Sequence, residues 1–402
     1  MQILDFEKKA IETIEKNVHI LFFAVITILA IVLRCAGCDY RSNDMEAFLI
    51  PWYTQIQSMG GIKGLGTQVG DYNVLFQTII AIMTYLPGED PMVKFKVLSI
   101  IFDFLLALAG AWLVTDLTGK KKFGPMFQIV YTVLLFLPTV VLNSAWWGQC
   151  DGIYTFFLVL MVYFLYKGQN MKAFIFFGLA FAFKFQAIFL LPFVICYYFY
   201  KKGFSICCFG ITAFVFWLSG ILTYINGGDI LAPFKIYASQ TGTYQNMYLN
   251  VCSFWMLLGD NYQYMKDIAI MTTIILCGLA LLAVICRYKK MDTPEQFLNT
   301  AAWFAWTCVM FLPAMHERYT FVLDVLLILL AFVNAKYLKY AVTSAVLSLI
   351  SYGAYLFGNG GLDRLFVMAL FGFWVHFTYT IVKQDLALGK DSGEAVATEE
   401  AA

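Results

Sequence analysis

The chain has 402 residues, 61% of them apolar and only 13% charged, with a formal net charge of +1. So few charged groups, about half the share of an average soluble domain, could not cover a soluble surface; the composition is that of a polytopic membrane protein with room for roughly a dozen spans. The even charge balance excludes a strongly basic nucleic-acid binder and a protein dominated by an acidic tail.

The first residues are rich in charge (Asp5, Glu7, Lys8, Lys9, Glu12, Glu15, Lys16), unlike a cleavable leader, so 1–17 reads as a cytoplasmic segment before a retained anchor. Apolar runs predict spans at 18–34, 92–114, 123–142 and 152–166, then a broken pair at 173–183 and 185–199. Further spans are predicted at 204–224, 266–286, 297–313, 319–334, 338–357 and 363–382. The expected fold class is an all-α polytopic membrane protein with about 11–13 transmembrane helices. A single transmembrane domain would cover 18–387, and the small, acidic tail 388–402 reads as disordered and cytoplasmic.

Lysine and arginine mark one side: Lys120 to Lys122, Lys167, Lys172, Lys201, Lys202, Arg287, Lys289, Lys290, Lys336, Lys339 and Lys383. Placing these in the cytoplasm puts both termini inside. That alternation requires the short run 74–87, which ends in Pro87, to be an interfacial or re-entrant helix rather than a crossing. Four segments then share the outer side: the loop 35–91, Asn143 to Asp151, 225–265 and Pro313 to Tyr319.

Each outer segment carries polar groups with two readings. Asp44 and Glu46, backed by Phe48, Leu49 and Trp52, suit a general base at a membrane surface, or a solvated turn in which Asp caps a helix. Asp71 and Tyr72 suit substrate contact or a plain helix start. In W-W-G-Q-C-D, Trp147, Gln149 and Asp151 could stack on and hydrogen-bond a sugar, or form an interfacial belt beside a cap. Lys184 and Gln186 interrupt an apolar stretch; a lysine at that depth implies a counter-ion or an anionic ligand, unless it snorkels to the surface. His316, Glu317 and Arg318 offer a phosphate-binding fork or a salt-bridge knot. Asp103 and Asp324 fall within or near spans, with partners that the sequence does not name.

Ten cysteines and three histidines do not make a zinc pattern. Cys35 and Cys38 form the C-x-x-C, either as a disulfide or as a reduced pair. No cofactor is implied; a divalent metal is compatible with the sequence but not required by it. No internal repeat or matching pair of broken helices is visible, which argues against a transporter.

A base, indoles and a cationic cluster on one membrane face are what moving a sugar from a lipid phosphate to a hydroxyl requires. The ordered series Asp44-Met45-Glu46-Ala47 with Trp52, Asp71-Tyr72, Lys120-Lys121-Lys122, W-G-Q-C-D, F-K-F-Q and H-E-R resembles the dolichyl-phosphate-glucose-dependent glucosyltransferases of asparagine-linked glycosylation and their bacterial relatives. There the pattern looks like D-Y-E-A, D-Y-P-P, K-K-K, H-F-Q-Y-N, F-K-Q-M and H-E-K. The likeness covers residues 34 to about 325, and the last stretch adds little.

The resemblance implies a GT-C fold whose first extracytoplasmic loop, 35–91, contains interfacial helices and carries the base, Asp44. Lys184, His316 and Arg318 would bind the donor phosphate; Glu46, Trp52, Asp71, Tyr72, Trp147, Gln149, Asp151, Gln186 and Glu317 would face sugar or acceptor. Met45, Asn73-Val74 and Arg318 depart from the family pattern and leave the hexose, glucose or mannose, open. The compact chain points to a bacterial plasma membrane, with an undecaprenyl-phosphate sugar as donor and a cell-envelope or lipid-linked glycan as acceptor. A polyprenyl-linked sugar flippase is the alternative; an assembly subunit would leave Asp44 and Arg318 without a task.

Overall fold

The computed structural model describes residues 3–240, 242–358 and 361–399, with side chains through residue 385. The expected disordered tail, 388–402, thus falls on residues whose side chains lie outside the described set. The chain opens with α1 (Asp5–Lys16) and α2 (Val18–Cys35), then α3 (Ile50–Ser58), α4 (Val74–Met83) and α5 (Pro91–Leu117). Next come α6 (Pro125–Phe136), α7 (Pro138–Val141), α8 (Asp151–Tyr166), α9 (Asn170–Phe183) and α10 (Leu191–Lys201). The helices α11 (Cys207–Leu218), α12 (Ile221–Ile225), α13 (Ala232–Gln240) and α14 (Tyr262–Ile285) follow. The last four are α15 (Pro294–Phe311), α16 (Phe321–Val333), α17 (Leu338–Phe357) and α18 (Arg364–Glu399).

Five stretches are long and apolar enough to cross a membrane: α2, α5, α14, the stretch Ala335–Phe357 that contains α17, and Arg364–Asp385 within α18. A sixth would be the pair Pro125–Phe136 and Pro138–Trp147, bent by 53°. The bend falls at Pro138, whose ring cannot continue the preceding helix. The expected span 123–142 is therefore broken. The expected span 204–224 also divides, at Ser219-Gly220, between α11 and α12. Several other predicted crossings, including 152–166 and 319–334, are shorter apolar helices, so length and apolarity alone do not reach the expected count.

The run 74–87 is helical only over α4, whose ten residues extend about 15 Å, half a bilayer core. Seven of them are buried, the helix packing on α3 of the same loop and on α9 of the bundle. Asn73 caps it, its side chain accepting from the Val74 amide.

Where helices cross, small residues let backbones approach, as expected for packing in lipid. A Cβ on Gly110 of α5 would press on Leu134 and Leu329, and one on Gly178 of α9 on Val215 and the Thr212 carbonyl. Two buried cations then fix the first loop to the bundle. Arg34, at the end of α2, donates to Asp103 of α5 at 2.8 Å and to the carbonyls of Ala30 and Leu135; Ser144 completes Asp103 at 2.5 Å. Lys96, fully buried on α5, donates to the carbonyls of Gly37, Cys38 and Tyr40 at 2.8, 3.0 and 2.5 Å. Cys35 and Cys38 are free thiols beside this clamp.

Replacing Lys96 with Met removes the donor shared by three carbonyls and should cost about 3 kcal/mol. The expected result is a lower melting temperature with faster hydrogen exchange across residues 37–49. Unchanged exchange there would show that Lys96 does not hold the loop.

Candidate active site

The four segments expected on one face meet at one end of the helical bundle. A two-residue parallel bridge joins the third to the fourth, pairing Tyr248 with Met315 and Leu249 with His316. Asn73 donates to the Pro233 carbonyl at 3.1 Å and Gln240 to the Asp71 carbonyl, joining the first segment to the third. Tyr72 donates to Gln149 at 2.9 Å, joining the first to the second.

At the centre lies Asp44, 8% exposed. Its Oδ2 accepts from Trp147 Nε1 at 2.9 Å and Gln149 Nε2 at 2.8 Å, with Arg318 Nη2 at 3.5 Å. Its Oδ1 accepts from the Tyr355 hydroxyl. Asp44 makes no helix-capping bond, so the capping reading of this residue does not describe it. Both flanking strings, Met45–Leu49 and Leu142–Trp147, are π-helical turns, a widening that often marks functional sites. Gly148 follows the second at φ +73°, with the Met45 side chain where a Cβ would sit, so only glycine lets Trp147 and Gln149 both aim at Asp44.

A second buried acid stands beside the first. Asp151 opens α8, accepts from Asn143 at 2.9 Å and pairs with Lys184 at 2.5 Å. Lys184 occupies the extended break after α9, which explains a lysine in an apolar run: it has the counter-ion that such a residue demands. The ammonium also lies over the rings of Tyr154 and Tyr319.

Lys184 and Tyr319 border a cavity of about 310 Å³, whose wall also includes Asp71, Tyr72, Gln186, His316 and Arg318, while Asp44 and Asp151 lie behind it. Arg318 spreads over the Trp147 ring at 5.1 Å and stands between Asp44 and that space. Its Nε and Nη1, and His316 Nε2, have no hydrogen-bond partner among the described residues; Glu317 Oε1 lies 3.5 Å from Nε. Burial, reinforced by Arg318 and Lys184, pushes the His316 imidazole down to about 3, so it is neutral at ordinary pH. Desolvation raises the carboxyls of Asp71 and Glu317 against the pull of Arg318.

Of the residues singled out from the sequence, Asp44, Tyr72, Trp147, Gln149, Asp151, Lys184, His316, Glu317 and Arg318 gather here, while Asp71 and Gln186 line the cavity. Three placements differ from expectation. Trp147 is fully buried, with Tyr355 stacked at 4.7 Å, so its indole is committed to protein contacts. Glu46 projects outward to Arg41 at 2.9 Å, both side chains about half exposed, because the widened turn carries it past the cluster. Trp52 packs on Tyr72 at 5.2 Å and sits one layer back.

Tyr355 comes from the C-terminal stretch that the resemblance discounts, and Tyr352 beside it accepts from Asn143 at 3.3 Å. One of 24 tyrosines on an apolar helix carries no local mark; only the α17 face turned toward Trp147 reveals it. Among the described residues, no three His, Cys, Asp or Glu side chains gather as a metal site.

No known protein-family model and no curated protein matches the chain.

The His316 environment sets an acid sensitivity. An unfolded imidazole binds a proton near pH 6.5 and this one near 3, so its share of stability is lost as pH falls from about 6.5 toward 3. His316→Gln should flatten the fall in melting temperature over that window. An equal fall in both proteins would contradict a buried neutral imidazole.

Proposed function

We propose that the chain is an inverting glycosyltransferase that moves a hexose from a polyprenyl-phosphate-linked donor to a hydroxyl of an envelope or lipid-linked glycan. The observation that carries this reading is a pair of buried nitrogens without a partner among the described residues, Arg318 Nη1 and His316 Nε2, on two residues that line the cavity. A buried guanidinium with unfilled N–H groups is costly, and phosphate oxygens fit its fork. Four carboxyls (Asp44, Asp71, Asp151, Glu317) meet only two cations (Lys184, Arg318) here. Anion recognition then rests on aimed N–H groups rather than net charge, and the surplus acids suit sugar hydroxyls.

A carboxylate offers about four lone-pair sites. On Asp44, Trp147 and Gln149 fill those of Oδ2 and Tyr355 one of Oδ1, which leaves one for an acceptor hydroxyl. In this reading Asp44 takes the hydroxyl proton, the hydroxyl oxygen attacks the anomeric carbon from the face opposite the leaving group, and the bond to the phosphate oxygen breaks. The lipid phosphate departs as an anion beside Arg318 and His316, while Lys184, held by Asp151, adds donors. Reaching Asp44 from the cavity requires Arg318 to swing toward the phosphate, which couples donor binding to exposure of the base. Asp71, already on the wall, is the second candidate for the base.

The same reading takes the fold as GT-C, with paired short helices completing the spans, the site on the extracytoplasmic face of a bacterial plasma membrane and both termini in the cytoplasm. An undecaprenyl-phosphate sugar is then the donor, and no metal is needed.

The test offers polyprenyl-phosphate glucose, mannose, galactose and N-acetylglucosamine, with extracted envelope glycan, to the purified chain in lipid. Wild type should consume one donor. Asp44→Asn should bind that donor and turn over at least about 100-fold more slowly, the size of a lost general base. Arg318→Ala should weaken donor binding. Loss in Asp71→Asn with full activity in Asp44→Asn would move the base to Asp71; binding without consumption by any protein would favour the flippase reading.

A further inference from the structure

Helix α1 has no buried residue, although its sequence is sorted by face. At 3.6 residues per turn, Phe6, Ala10, Ile11 and Ile14 fall on one side and Lys8, Lys9, Glu12 and Lys16 on the other. Glu7 shares the apolar side, but its carboxylate turns back to accept from the Leu4 amide at 2.8 Å. That side is bare, with Phe6 69%, Ile11 45% and Ile14 54% exposed. It is an amphipathic face that no described residue of the chain covers.

What lies beside it follows from the next helix. Only Asn17 separates α1 from α2. The Asn17 amide bonds back to Thr13 and Ile14, and its carbonyl accepts from Ile20 and Leu21. Among the described residues, no backbone hydrogen bond runs from α2 into α1, so the ladder is interrupted and α1 can turn from the axis of α2. Helix α2 is a candidate span in which only Ala30 and Arg34 are buried, and its start exposes Val18, Ile20, Leu21 and Phe22. Its 18 residues extend about 27 Å, close to the thickness of a bilayer core, so Val18 stands at one membrane boundary. The 12 residues of α1 extend about 18 Å, too short to cross.

We propose that α1 lies in the plane of that boundary and docks on the bilayer itself, with Phe6, Ile11 and Ile14 among the upper acyl carbons and the charged side among headgroups and water. Charge does not select the lipid. Four acids (Asp5, Glu7, Glu12, Glu15) stand against three lysines (Lys8, Lys9, Lys16) in α1, so an anionic surface adds no net attraction. The apolar side supplies it, and a zwitterionic bilayer suffices. A second copy of the chain would have to displace lipid that already borders α1 through α2. The proposal rests on the spanning of α2 and is independent of the sugar-transfer reading.

The test adds one indole to each side of α1, as Phe6→Trp and Glu12→Trp, in the full chain reconstituted in phosphatidylcholine vesicles. Both positions are exposed, so subtracting the wild-type emission leaves that of the added indole. Lipids brominated near the headgroup end of the acyl chain, or near its far end, serve as quenchers. Phe6→Trp should gain blue-shifted emission that the shallow bromines quench by at least about half and the deep ones less, as a face about 5–10 Å below the headgroups requires. The indole of Glu12→Trp should emit farther to the red and be quenched several-fold less. Adding phosphatidylglycerol should change neither result. Both indoles open to aqueous iodide and untouched by bromine would overturn the proposal by leaving α1 in water. Blue-shifted emission at position 6 that no bromine quenches would overturn it in favour of a protein contact, such as a second copy. Quenching that requires phosphatidylglycerol would overturn it by making charge the attraction.

Discussion

The buried carboxylate of Asp44 is the constraint on which the site depends. Removed from water, it must be surrounded by donors, because an unpaired buried charge costs several kcal/mol. Those donors come from stretches far apart in sequence: Trp147 and Gln149 after one widened turn, Arg318 after a parallel bridge, and Tyr355 from a late helix. Satisfying one acid therefore draws the first loop, the loop before α8, the loop before α16 and α17 to a single point. The other buried ions extend the same logic, with Arg34 and Asp103 fixing the loop's beginning and Lys96 its backbone.

This arrangement couples rigidity to openness. Lys96, Arg34 and the pair of Asp151 with Lys184 have their hydrogen bonds largely made, so they form a stiff frame. Arg318 and His316, facing the cavity, do not. Unfilled nitrogens on Arg318 and His316 thus belong to the cavity wall, while these filled ion pairs hold the elements around it. Such a division is what preorganised recognition of an anion needs, since the donors stand ready before the ligand arrives.

Much of the site was legible because polar residues stand out against apolar runs. Lys184 within A-F-A-F-K-F-Q and the string W-W-G-Q-C-D interrupt their surroundings, and each interruption proved to be a meeting point. Tyr355 was not legible, since a tyrosine in an apolar helix looks the same whether it faces lipid, core or an acid. Nor was Lys96, which falls inside the expected span 92–114 with nothing nearby in sequence to mark the three carbonyls that it holds. The pairing of Arg34 with Asp103 is a distance in space that spacing along the chain does not encode. The fold followed the same rule: continuous runs such as 18–34 and 338–357 became helices with nearly those bounds, while Pro138 and Ser219-Gly220 divided two others. Glu46 shows that a neighbour two residues from a key group can face elsewhere when the intervening turn is π-helical.

The central claim, that the open nitrogens of Arg318 and His316 await a lipid-linked phosphate, is tested most directly by imaging the chain in nanodiscs with a non-hydrolysable polyprenyl phosphonate sugar. The account predicts phosphonate density in the cavity, within about 3 Å of Arg318 and His316 nitrogens, and an Asp44 carboxylate no longer screened by the guanidinium. A phosphonate bound elsewhere, with those nitrogens still unfilled, would contradict it.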